Sequence, residues 1–157
     1  RIARLVDPAL NEGLPAFLVQ NSGLNSGFMI PQYTAAALVS ENKILSHPAS
    51  VDSIPTCANQ EDHVSMGTIA ARKAKEILDN VIKIIAIEIL TAAQAINLRE
   101  KSCSSAISKI LATLRRDVSF LENDRVIYYD INKVESLIRN RELLNKTSIN
   151  IMLEVQK

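Results

Sequence analysis

The chain has few cysteines and almost no net charge. Among its 157 residues are 2 cysteines, too few for a disulfide framework, and its 18 basic and 17 acidic side chains leave a formal net charge of +1. A nearly neutral chain lacks the overall field that attracts a polyanion, so we expect no nucleic-acid partner. It shows neither a signal-peptide pattern after Arg1 nor an uncharged apolar run of about 18 residues. We therefore expect a cytoplasmic protein with no membrane partner.

Glycine and proline are missing from the larger part of the chain. The 4 glycines and 5 prolines all lie at or before Gly67, and these residues are the strongest local interrupters of regular structure. Their absence from residues 68–157 argues against tight hairpins and favours long helices joined by short polar turns. We predict an all-α fold, a long-helix bundle, with a helix and irregular loops in residues 1–67 and long helices in residues 68–157.

One long helix is predicted from Thr68 to about Arg99. Its first half is amphipathic, whereas residues 81–93 are apolar nearly all the way round. A helix that is apolar on every side must be enclosed by other helices or by lipid. Because Lys83 and Glu88 interrupt the apolar run, lipid is the weaker interpretation. We therefore expect other subunits, or further parts of a longer polypeptide, to cover this helix.

Shorter helices are predicted on both sides of the long one. Residues 28–40 form a helix in which Pro31 fits only near the first turn. A third helix runs from about Ser104 to Glu122, and Asp130 is a candidate cap for the helix after it. Their apolar positions recur at helical spacing. These stripes comprise Ile107, Ile110, Leu111, Leu114, Val118 and Leu121 in the third helix, and Ile131, Val134, Ile138 and Leu144 in the next.

A polar connection, residues 45–67, precedes the long helix. Connections of this length are uncommon unless they are functional or disordered. Val51, Ile54 and Met66 argue against disorder, so we expect an ordered functional loop. It contains both histidines of the chain, of which His47 is expected to be structural.

Residues 59–63, Asn-Gln-Glu-Asp-His, have more than one interpretation. Asn59 or Asp62 could cap the long helix, with the acidic groups favouring its positive end. A metal site is disfavoured because Glu61, Asp62 and His63 are consecutive, so no metal ligands are predicted. A nucleophilic Cys57 lacks a recognisable motif. The remaining interpretation is that amides and a carboxylate line a pocket, hold a polar substrate and take part in proton transfer.

Several segments in fixed order resemble the C-terminal region of the histidine ammonia-lyase family. The resemblance is strong over residues 1–99 and looser over residues 100–157. It identifies the chain as a C-terminal segment of a longer lyase, in agreement with Arg1 not being an initiator methionine. The matching segments are GLNSGFMI (23–30), TAAAL (34–38), SENK (40–43), HPASVDS (47–53) and NQEDHVSM (59–66).

The resemblance implies an activity and a prosthetic group. Members of that family are cytosolic, mainly helical homotetramers that eliminate ammonia from L-histidine to give trans-urocanate. They use methylidene-imidazolone (MIO), an electrophile formed from an internal Ala-Ser-Gly, which is absent from this chain. Residues 49–51, Ala-Ser-Val, lack the glycine and belong to a different family motif. MIO is therefore expected to form outside this segment.

The resemblance also assigns site residues. Glu61 matches the acidic residue that lines the pocket near the substrate imidazole and is the candidate catalytic residue. Asn59 and Gln60 match amides that support the prosthetic group or the substrate, while Asp62 and His63 are assigned supporting and capping roles. Because the family's other site residues lie upstream and in other subunits, we expect the isolated segment to be inactive.

Two other functions stay open. The chain could belong to a phenylalanine or tyrosine ammonia-lyase or an aminomutase of the same superfamily, which share the fold and the prosthetic group. From a different class, it could be a non-catalytic helical oligomerisation module whose apolar helix is an assembly surface. Glu61 favours histidine as substrate, because a carboxylate accepts a hydrogen bond from an imidazole N–H and a phenyl ring offers no such donor.

Overall fold

A computed structural model describes residues 1–145 of the chain. Within these residues the regular structure is helical and contains no strand, which confirms the predicted all-α fold. The predicted helical structure of residues 146–157 lies outside the described part. The helices are α1 (Ile2–Val6), α2 (Met29–Leu45), α3 (Gly67–Arg99), α4 (Ser105–Asp117), α5 (Tyr128–Arg139) and α6 (Glu142–Asn145), with short 3₁₀ turns at Ala16–Leu18 and Cys57–Asn59.

Helix α3 is the centre of the fold and confirms the predicted long helix. Its 33 residues span about 50 Å at 1.5 Å per residue, and it packs against α1, α2 and α5. Ala86 and Ile87 in its second half are fully buried, so the described chain itself covers much of the stretch expected to need other subunits. The exposed apolar side chains of α3 include Leu78, which is 57% exposed, and Ile85, which is 40% exposed.

The length and apolar composition of α3 would also allow it to cross a membrane. The central helix of a soluble protein passes the same test. Here Leu90 and Thr91 are buried against the rest of the chain. This part of α3 therefore belongs to the core of the described segment.

A buried glutamine joins three parts of this core. The Gln94 side chain of α3 is 1% exposed. Its Nε2 donates to the carbonyls of Leu18 at 3.1 Å and Leu121 at 2.8 Å, and its Oε1 accepts from the Leu121 N–H at 3.1 Å. These bonds satisfy backbone groups of two irregular segments that would otherwise be buried without partners.

Helix α4 is shorter than predicted. It begins after Ser104, whose Oγ accepts from the Ile107 N–H, but it ends at Asp117, and Val118 is extended with φ −128° and ψ 112°. The expected end at Glu122 is wrong, although Val118 and Leu121 are both buried as apolar positions. Apolar spacing continues past the helix end because the segment after α4 also faces the core.

In the segment after α4, arginine side chains donate to the backbone carbonyls that would bond to N–H groups in a longer helix. Arg115 donates to the carbonyls of Val118 and Ser119, and Arg125 donates to those of Ser119 and Phe120. Burial lowers the pKa of the Arg115 guanidinium, and the nearby Arg125 charge acts in the same direction. The α4–α5 connection therefore keeps an extended path with its carbonyls satisfied.

Asp130 does not cap α5, contrary to the sequence prediction. The helix begins at Tyr128, one turn earlier than that role requires, and Asp130 instead accepts a 2.8 Å hydrogen bond from Arg125 Nε. The predicted stripe on α5 also ends early. Arg141 has a φ of 58°, which breaks the helix, so Leu144 belongs to α6.

Two hydrogen bonds join the segment before α2 to the α4–α5 connection. Both carboxylate oxygens of Asp124 accept backbone N–H groups, from Ser26 at 2.7 Å and from Gly27 at 2.8 Å. Gly27 has a φ of +51°, and a Cβ there would lie 2.5 Å from the Phe17 carbonyl oxygen. Glycine is required here because the backbones approach too closely for any side chain. Pro31 then falls in the first turn of α2, as predicted.

An ion-pair network joins α3 to α5. Asp79 accepts from Arg139 at 2.8 Å and from Lys75 at 2.9 Å. The Arg139 hydrogen bond, followed by that of Lys75, lowers the pKa of Asp79 from 3.8 to about 2. Because the folded state holds the carboxylate ionised, its stabilising effect is present above pH 3.8 and is lost as the pH falls towards 2.

We expect Asp79→Asn to weaken the protein at pH 5 but not near pH 2. The melting temperatures of parent and variant, measured against pH, should converge as the pH falls through this window. Glu76→Gln, on an exposed position of the same helix, is the matched control and should follow the parent at every pH. A constant difference between parent and Asp79→Asn would show that the charge of Asp79 contributes nothing.

Candidate functional site

The predicted functional loop connects α2 to α3, and it is held by a hydrogen bond from α3 and by hydrogen bonds within the loop. The Lys73 ammonium of α3 donates to the carbonyl of His47, and the Val64 N–H donates to Ser53 Oγ at 2.7 Å. Nearby, Asn80 Nδ2 donates to Asn42 Oδ1 at 3.0 Å and so ties the two helices together. The packing of α2 against α3 therefore determines where this loop lies.

Residues 56–61 form a tight turn in the second half of the loop, which we call the Thr56–Glu61 turn. Thr56 N–H donates to the Glu61 carbonyl at 2.8 Å, and Glu61 N–H donates back to the Thr56 carbonyl at 3.3 Å. Between them Cys57, Ala58 and Asn59 have φ values of 50°, 52° and 68°. Asparagine adopts this left-handed region readily, but cysteine and alanine rarely do. Backbone strain of this kind is often found at functional sites.

The Glu61 carboxylate lies on the exposed side of this turn. Its Oε2 accepts a 2.8 Å hydrogen bond from Thr56 Oγ1. Among the hydrogen bonds and ion pairs of residues 1–145, none reaches Glu61 Oε1 or the side-chain amides of Asn59 and Gln60. All three side chains are exposed. The turn thus presents one carboxylate oxygen and two amides for contacts outside this segment.

The capping interpretation of Asn59 and Asp62 is wrong. Helix α3 begins after Met66, which has a left-handed φ of 49°, and no side chain caps its N-terminus. His63 is exposed beside Asp62. The acidic and amide groups of residues 59–62 are therefore not explained by helix capping.

Neither His47 nor Cys57 makes a hydrogen bond to the Glu61 carboxylate within residues 1–145. The His47 side chain is exposed, and its carbonyl accepts the Lys73 bond. Cys57 is a free, exposed thiol in the turn. Within residues 1–145 no three His, Cys, Asp or Glu side chains are grouped so that they would hold a metal ion.

Two clefts of the described segment lie away from the Thr56–Glu61 turn. One, of about 440 Å³, is bounded by the starts of α2 and α5, and another, of about 400 Å³, lies beside Arg115 and Phe120. The Thr56–Glu61 turn lines neither of them. Because Glu61 is exposed in the described segment, a closed cavity around it would need further walls.

Thr56 is the contact residue that sequence reasoning missed. Threonine is common in loops, and its pairing with a residue five positions later depends on the left-handed run between them. Among the three left-handed residues, only Asn59 is of a type that commonly adopts the left-handed conformation. The sequence therefore contained little signal for the pair.

The class of protein follows from a comparison with known families. The family profile described as aromatic amino acid lyase matches residues 1–116. The chain belongs to this family of lyases, which confirms the predicted membership.

Individual proteins of known identity show which members of the family the chain resembles. The chain is 60% identical over 145 residues to the histidine ammonia-lyase of Alkaliphilus oremlandii, covering 92% of this chain and 28% of the relative. The crystal structure of histidine ammonia-lyase from Trypanosoma cruzi superposes with a TM-score of 0.88 at 52% identity, covering 92% of this chain and 28% of that one. Tyrosine aminomutase from Streptomyces globisporus superposes with a TM-score of 0.87 at 40% identity and the same coverage. The chain thus spans about 28% of the length of these relatives.

Proposed function

We propose that this chain is the C-terminal segment of a histidine ammonia-lyase, which eliminates ammonia from L-histidine to give trans-urocanate. The observation that carries the proposal is the 60% identity to a histidine ammonia-lyase across 92% of the chain. Identity to the tyrosine aminomutase over the same share of the chain is lower, at 40%. Residues 59–63 lie within the region of similarity.

Glu61 has the chemistry to select the imidazole. A carboxylate accepts hydrogen bonds at either oxygen, and here Oε2 is occupied by Thr56. Oε1 would accept the imidazole N–H of histidine. A phenyl ring at the same place offers no donor and would leave Oε1 unpaired, so the site would bind phenylalanine less well.

Asn59 and Gln60 fit a role beside MIO, the prosthetic group of this family. Their amides are exposed and make no side-chain hydrogen bond within residues 1–145, so their N–H donors would be free for carbonyl oxygens of that group or of the substrate. When present, MIO supplies an electrophile for removal of the amino group. The chain contains no Ala-Ser-Gly to form it, so this segment would contribute only the supporting amides and Glu61.

The complete protein is proposed to be a cytoplasmic homotetramer. Large apolar side chains of the described segment remain exposed, among them Leu24 at 89%, Tyr33 at 77% and Ile44 at 76%. Burial of such groups by the rest of the polypeptide and by other subunits would be favourable. The active site would then be completed by residues that this segment lacks.

Substrate profiling of the full-length protein tests the proposal. We expect kcat/KM for L-histidine, followed by the ultraviolet absorbance of urocanate, to exceed the values for L-tyrosine and L-phenylalanine by about 100-fold or more. Residues 1–157 alone, purified as the control, should release no urocanate. Faster turnover of tyrosine or phenylalanine, or formation of a β-amino acid, would instead support the ammonia-lyase or aminomutase alternative.

A further inference from the structure

We propose that Thr56 is a positioning residue that orients the Glu61 carboxylate towards the substrate imidazole. The inference rests on the proposed function and extends it to a residue that does not itself touch the substrate. It is carried by the 2.8 Å hydrogen bond from Thr56 Oγ1 to Glu61 Oε2.

The backbone around this pair brings the two side chains together. Thr56 and Glu61 exchange both of their backbone hydrogen bonds, so they face each other as directly opposed residues do in an antiparallel ladder. Side chains of directly opposed residues lie on the same side of the ladder. Thr56 is also β-branched and half-buried, which restricts its hydroxyl to few orientations.

The hydroxyl has two consequences for the carboxylate. A glutamate side chain on an exposed turn has several rotamers, and a hydrogen bond to one of its oxygens favours the rotamers that preserve that bond. The second consequence concerns the other oxygen. With Oε2 occupied by Thr56, Oε1 is free to accept the imidazole N–H, and the binding geometry exists before the substrate arrives.

Variants of the full-length enzyme test this role. Thr56→Val keeps the shape of the side chain and removes the donor, and we expect it to lower kcat/KM for L-histidine about tenfold. Thr56→Ser keeps the donor and should stay within about threefold of the parent. Thr34→Val makes the same change at an exposed threonine, whose hydroxyl donates to the Ile30 carbonyl in α2, and is the matched control with unchanged activity.

A double-mutant cycle separates positioning from a structural effect. If Thr56 acts through Glu61, Thr56→Val should change kcat/KM less than about twofold in a Glu61→Ala background. A full tenfold loss in that background, or no loss in the parent background, would overturn the inference while leaving the proposed function intact. Unchanged activity of Glu61→Ala itself would overturn both the role of Glu61 and the inference built on it.

Discussion

Replacing Glu61 by alanine in the full-length enzyme is expected to lower kcat/KM for L-histidine by about 100-fold or more. The substitution removes the proposed acceptor for the imidazole N–H, so a donor buried in the closed site would lose its partner. If the carboxylate also moves a proton during the elimination, its loss lowers kcat in addition. The Thr56–Glu61 turn should keep its backbone hydrogen bonds, because they involve no side-chain atom of Glu61.

The change should therefore affect turnover and not assembly. Steady-state kinetics with L-histidine and the elution volume in size-exclusion chromatography distinguish the two. Glu76→Ala, an exposed glutamate on α3, is the matched control and should preserve both properties. Kinetics of Glu61→Ala equal to those of the parent would favour the non-catalytic oligomerisation module over the catalytic role.

Replacing Gln94 by leucine is expected to give the largest loss of stability, about 3 kcal/mol in the free energy of unfolding. The leucine side chain is similar in size but leaves the carbonyls of Leu18 and Leu121 and the Leu121 N–H without their partner. Buried backbone groups without hydrogen bonds are costly, since the unfolded chain satisfies them with water.

Thermal or urea unfolding of the full-length protein measures this effect. Gln20→Leu makes the same chemical change at an exposed position and should stay within about 0.5 kcal/mol of the parent. A Gln94→Leu protein as stable as the parent would mean that the two irregular segments do not depend on this side chain. The predicted loss concerns stability, so the kcat of the protein that remains folded should change little.

The patterns in the sequence predicted the helices well where local chemistry decides them. Helix α3 runs over Gly67–Arg99 against a predicted Thr68 to Arg99, because apolar periodicity without glycine or proline favours one continuous helix. Pro31 was placed in the first turn of α2 for an equally local reason, since proline needs no partner for a missing N–H there. Such features depend on neighbours within a few residues.

Errors arose where side chains or turns make the contacts that a longer helix or a helix cap was expected to make. Val118 continued the apolar spacing of α4 but lies beyond its end, because the Arg115 side chain satisfies its carbonyl. Asp130 resembled a helix cap but pairs with Arg125, and Asn59 resembled a cap for α3 but belongs to the turn before it. An aspartate can serve either as a cap or as the acceptor in an ion pair, so the sequence alone does not separate the two roles of Asp130.

For the candidate site, too, some features follow from the sequence and others only from the structure. The sequence by itself determined that residues 59–63 are a compact polar group before a long helix, and their similarity to a lyase family gave Glu61 its proposed role. Only the tertiary structure decided that Thr56 holds one oxygen of that carboxylate while the other stays free within residues 1–145. The physical reason is that a hydrogen bond between side chains depends on the path of the backbone, and here three left-handed residues determine that path.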